Sequence, residues 1–120
     1  MLDEIAGYMT ANGIGQVFKA RMPDTPDDAV CLYKYPGAPP EFSHDGQDWE
    51  NLRLQVVVRG KQYDASRQKT QQVYDLLNGK VNEMIGSLYF SIRAMQSPFP
   101  LNVDSNERYR MAVNFEIARV

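Results

Sequence analysis

The sequence predicts a single α+β domain of two layers, a mixed or antiparallel sheet of about five strands with two helices packed on one face. Three observations predict it. The strand-like segments alternate apolar and polar residues, the mark of a sheet buried on one side. Two other segments carry apolar residues at helical spacing. The chain has 120 residues, 43% of them hydrophobic, enough for one core of this kind and too few for two.

Each element has its own warrant. Leu2, Ile5, Ala6 and Met9 recur at i, i+3, i+4 and i+7, so a first helix is expected over residues 2–11. Asn12-Gly13 supplies its left-handed stop. Residues 17–21 alternate well enough for a short strand before Pro23. The next stretch, Met22 to Asp28, holds two prolines and three aspartates and is expected to be a loop, since proline removes backbone donors and aspartate favours local turns. Residues 29–35 are branched and aromatic and read as a strand. A long Pro/Gly-rich segment follows, over residues 36–48, and is expected to form a flexible loop.

The second half is more regular. Leu52, Leu54, Val56 and Val58 alternate with Arg53, Gln55, Val57 and Arg59, a central strand with one apolar and one mostly polar face. Gly60 ends it. Asp64 is placed to cap a helix beginning at Ala65, with Val73, Tyr74, Leu76 and Leu77 as its buried stripe and Asn78-Gly79 as its stop. Leu88, Phe90 and Ile92 give another two-faced strand, which ends in a turn at Ser97-Pro98-Phe99-Pro100. The last strand is the clearest: Tyr109, Met111, Val113, Phe115 and Ile117 point one way, their neighbours the other.

Composition excludes several functions. With 13 basic and 15 acidic side chains and a formal net charge of -2, the chain lacks the basic excess of an extended nucleic-acid footprint. No apolar run approaches the ~20 residues that cross a bilayer, and the acidic start is unlike a signal peptide; the expectation is a protein made in the cytoplasm, with no membrane partner. Cys31 and His44 are each the only residue of their kind. One thiol and one imidazole leave no disulfide, no cysteine-rich metal site and little catalytic machinery. His44-Asp45, with Glu41 and Asp48 nearby, offers cation ligands in a spacing that matches no defined site. No catalytic residue, metal site or cofactor is therefore assigned. The polar sheet face, with Arg53, Gln55, Arg59, Arg93, Arg110, Asn114 and Glu116, is either solvated, or meets another subunit, or lines a channel.

The run Leu54-Gln55-Val56-Val57-Val58-Arg59-Gly60-Lys61-Gln62-Tyr63, followed by Val73-Tyr74-Asp75-Leu76-Leu77-Asn78-Gly79, resembles the phage minor capsid or tail terminator family. The opening helix agrees, as do the Met22-Pro23-Asp24-Thr25-Pro26-Asp27-Asp28 segment leading into a strand and Tyr35-Pro36-Gly37-Ala38-Pro39-Pro40 after it. The resemblance implies a hexameric ring at the head-tail junction of a long-tailed phage or prophage particle. Such a ring caps the finished tail tube, stops its polymerisation and offers a surface to the head connector, while DNA only passes through it. Its implied partners are further copies of itself, the tail tube protein and the connector or stopper protein. No catalysis or cofactor is implied. Ring closure needs two different complementary surfaces per subunit, and the interface residues expected from pattern are Arg53, Gln55, Arg59, Arg93, Arg110 and Glu116, with Pro39, Pro40 and Phe42 of the loop. The alternatives are another neck or minor capsid component, or a small α+β ligand-binding or enzymatic domain using His44.

Overall fold

A computed structural model describes residues 1–35, 41–42, 48–86 and 88–119. In chain order these form α1 (Leu2–Ala11), β1 (Val17–Lys19), β2 (Ala29–Tyr35), β3 (Glu41–Phe42), β4 (Asp48–Gly60), α2 (Tyr63–Leu77), β5 (Lys80–Ile85), β6 (Leu88–Ala94), β7 (Phe99–Val103) and β8 (Tyr109–Arg119). The strands make one eight-stranded sheet in the order β1-β2-β4-β8-β6-β5, with β3 beside β4 and β7 beside β8. The β1–β2 pair is parallel and every other pair antiparallel. At its centre β4 and β8 run paired from Glu50–Arg119 to Gly60–Tyr109.

This corrects the expected sheet of about five strands: the class is α+β and the sheet mixed, but it is larger. Three strands carry no period-2 signal. In β5 the register with β6 shifts between Lys80 and Glu83, and a bulge breaks the alternation that marks a strand. In β7, Pro100 sits where a turn is expected, yet β7 pairs only with β8 among the described residues, and an edge strand tolerates the missing donor. β3 is only two residues long.

Both helices bury their stripes in one core with Leu52, Leu54, Val56, Val58, Phe115 and Ile117. α2 lies across β4, β8 and β6, and α1 reaches both ends of the strand order. Asp3 pairs with Lys19 of β1, and the ammonium of Lys80 in β5 stands 5.9 Å from the centroid of the Tyr8 ring. α2 starts earlier than the expected Asp64 cap allows. Gln62 is its N-cap, without a side-chain cap bond, and Asp64 lies in the first turn, where its charge still complements the helix dipole. At the exit from β4 the Ser66 and Asp28 side chains close over Gly60. A Cβ there would stand 2.5 Å from Ser66 Oγ and 2.7 Å from Asp28 Oδ1, so any larger residue would push these two side chains aside.

Candidate functional site

The helices cover one face of the sheet, and the strand register sets out the opposite, outer face as rows. Tyr35, Arg53, Glu116 and Arg93 form one; Tyr33, Gln55 and Asn114 the next; then Cys31, Val57, Ala112 and Phe99; then Ala29, Arg59, Arg110 and Asn102. The first two rows and the last two have different fates.

At the end nearer Gly60 a strap, residues 21–28, lies over the outer face. Cys31, Val57 and Ala112 are fully buried, although they lie outside the helix-covered core. Arg59, only 5% exposed, holds the strap from below: its Nε donates to the Asp27 carbonyl at 3.1 Å and its Nη2 to the Pro26 carbonyl at 2.6 Å. Burial lowers the Arg59 pKa, and the nearby charge of Arg108 adds to that effect. Arg108 holds the strap from the β7–β8 turn, donating from Nη1 to the Asp24 carbonyl at 2.6 Å and from Nε to Asp104 Oδ2 at 2.8 Å. Partial desolvation would raise the Asp104 pKa, but the backbone N–H and guanidinium of Arg108 and the backbone N–H of Asn106 outweigh it and hold the carboxyl below its ordinary range. Hydrogen bonds to the charged form have this sign. Burial pushes the Cys31 thiol up, so the sulfur stays protonated and inert at neutral pH.

At the other end the outer face is bare. A groove of about 540 Å³ is lined by Arg53, Lys80, Val81, Ser91, Arg93 and Glu116, among others. Ser91 and Ala118, small residues opposite one another in the register, leave room for it. Arg93, whose side chain is 78% exposed, pairs with Glu116 at 2.5 Å across strands, a surface pair that orients charge more than it stabilises. Beside it the Tyr35 hydroxyl meets Met95 Sδ at 3.3 Å. In the same face Asn114 Oδ1 is buried without a hydrogen-bond partner among the described residues, an acceptor left over in the isolated subunit.

The residues expected from pattern therefore divide. Arg53, Gln55, Arg93 and Glu116 come together on the bare half. Arg59 lies beneath the strap with its donors on strap carbonyls, and Arg110 stands near it, donating to Asn102 Oδ1 at 3.2 Å. Pro39 and Pro40 lie outside the described residues, as do His44 and Asp45; Phe42 enters only through the backbone of β3. Sequence reasoning missed Arg108, which precedes a strand in a polar turn without any periodic signal. It also missed Val81, Met84 and Tyr89, exposed apolar residues of β5 and β6 that composition does not separate from core. Among the described residues no cluster of three or more His, Cys, Asp or Glu is placed to hold a metal ion, and no helix is long and apolar enough to cross a membrane. What the open half presents is a groove and an exposed ion pair.

Comparison with known proteins gives a family and two similar folds. A family model described as bacteriophage tail terminator protein matches residues 8–120. No curated protein matches. Among solved structures, a chain from the virion of a native gene transfer agent particle superposes with a TM-score of 0.66 at 12% identity, over 97% of this chain and 92% of that one. A second solved chain gives the same TM-score at 15% identity, over 98% of this chain and 89% of that one. At these identities the likeness is one of fold.

Proposed function

Because the chain belongs to the bacteriophage tail terminator family, we propose that this structural protein of the phage tail or neck caps the completed tail tube. It does so as a hexameric ring at the head-tail junction, stops further polymerisation and presents its outer rim to the head connector, while DNA passes through the opening. No catalytic step is involved.

The observation that supports the reading is the division of the outer face. A sheet face that is strapped and buried at one end and bare, charged and grooved at the other leaves an uncovered surface built for a protein partner. Arg53, Gln55, Arg93 and Glu116 are its contact residues, where cross-interface charges set register and partner choice more than affinity. Arg59 acts indirectly, by holding the strap.

Native mass measured by light scattering over a concentration series, with and without the cognate tail tube protein, tests the proposal. A hexamer, alone or on tube ends, together with tubes that stop growing, is the expected result. A monomer that ignores tubes at every concentration overturns it. A ring that joins the particle without binding tubes points to another neck component instead.

A further inference from the structure

We propose that the strapped half of the outer face carries a phosphate site, in which Arg21 of the strap, Arg59 of β4 and Arg110 of β8 bind a single phosphate group. The site belongs to the individual subunit and goes beyond the structural role proposed above.

The register of β4 and β8 sets Arg59 directly opposite Arg110 on the outer face. Like charges so placed in an antiparallel pair repel one another, and neither guanidinium is bonded to a carboxylate among the described residues. Arg59 donates to the carbonyls of Asp27 and Pro26, and Arg110 to the side-chain oxygen of Asn102. All of these acceptors are neutral. The carboxylates of Asp24, Asp27 and Asp104 are near enough to act on Arg59 through space, but their ion pairs are made with Arg108. Asp104 is fully committed, its Oδ1 accepting the backbone N–H groups of Asn106 and Arg108 and its Oδ2 the Arg108 Nε–H. A desolvated pair of cations answered only by neutral acceptors is costly by itself and is improved by an added anion.

There is space for one. Arg59 and Arg110 line an open cavity of about 600 Å³ together with Arg21, Asp24 and Asp104. Arg21 is exposed and has no ion pair among the described residues. The cavity thus presents three guanidiniums against two carboxylates, and both carboxylates already serve Arg108. A guanidinium is a planar fork that binds two oxygens at once. A tetrahedral phosphate has oxygens enough to answer three forks, whereas a carboxylate has two oxygens in one plane. The formal net charge of -2 suits one phosphate and not an extended footprint along a nucleic-acid backbone. Free phosphate and a single nucleic-acid phosphate offer the same group. Because the strap forms one wall of the cavity, a phosphate bound there ties the strap to β4 and β8.

Titration of the full chain with inorganic phosphate at neutral pH and constant ionic strength tests this, read by phosphorus NMR line width and by amide exchange. The expected result is saturable binding with greater protection across residues 21–28. Arg110→Gln is expected to weaken binding about tenfold or more. Arg21→Ala, at an exposed position that leaves the fold intact, should weaken it as well, and Arg93→Ala on the open half should leave it unchanged. The variants share any general salting effect of phosphate, so differences among them report the site. A short oligonucleotide in a second series separates the sources: competition with phosphate that Arg110→Gln abolishes supports a site for nucleic-acid phosphate, and no competition supports one for free phosphate. Four results overturn the proposal: phosphate that behaves as chloride does, acetate that binds as well as phosphate, binding that survives both Arg21→Ala and Arg110→Gln, or binding lost in Arg93→Ala.

Discussion

Gln55 and Val57 stand two residues apart on the same strand and point to the same side of the sheet, yet Val57 is buried and Gln55 is half-buried on an open surface. The two halves of the outer face differ in what lies above them. Over Val57 the strap supplies backbone carbonyls, and the buried guanidiniums of Arg59 and Arg108 satisfy them. Over Gln55 and Arg53 no strap is laid down: among the described residues only the side chains of Tyr35 and Met95 reach toward each other across the strands, hydroxyl to Sδ at 3.3 Å, and the exposed charges answer to each other and to water. A sheet with a second covered patch is core there and open surface beyond it. The boundary is set by where the strap ends, not by any change in the strands beneath.

Substitutions at the boundary break the comparison most sharply. Arg59→Ala removes the buried donors beneath the Pro26 and Asp27 carbonyls and empties the space the guanidinium fills, so it is expected to lower stability by about 3 kcal/mol in urea denaturation, with faster amide exchange across residues 21–28. A stability unchanged within error would show that the strap holds without it. Val57→Ala, which leaves the fold's backbone untouched but empties space beneath the strap, is expected to cost about 2 kcal/mol. The matched change Gln55→Ala should stay within about 0.5 kcal/mol, and equal losses at the two positions would erase the distinction between the halves.

Acid sharpens the same contrast. Asp104 is held below its ordinary carboxylate range in the folded chain, so its contribution is complete above the unfolded pKa and is lost as pH falls through the folded value. Amide protection in residues 21–28, measured relative to the intrinsic exchange rate at each pH, should therefore fall from pH 6 to pH 3 more than protection in the β4–β8 centre does. A uniform loss of protection would mean that acid opens the fold as a whole. The smallest effect on the isolated subunit belongs to Arg93→Ala, whose exposed ion pair with Glu116 contributes at most about 1 kcal/mol. Its consequence is expected in assembly, read as a lower fraction of oligomer at fixed concentration with an unchanged melting curve.

Much of this was legible before the structure. α1, β2 and β8 fall where their apolar spacing puts them, and the apolar face of β4 is the core face. These segments are regular, and their periods are uninterrupted. The strands that sequence reasoning missed are those whose pattern is cut by a bulge, as in β5, or by proline, as in β7. The polar face was legible as polar, and four of its expected contact residues do lie together. Its subdivision was not, because an aspartate-proline segment reads as an ordinary loop whether it hangs in solvent or lies over a sheet.

The sequence by itself determined the secondary structure of the long elements, the core face of each strand and, through a pattern spread over nearly the whole chain, the family. Those depend on residues close together along the chain or on regular repetition. Only the tertiary structure decided that Arg59 and Arg108, 49 positions apart, grip one strap and that Arg53 and Arg93 share one groove. Each of these arises from strand order and register, which bring distant residues side by side by pairing that local propensity does not encode.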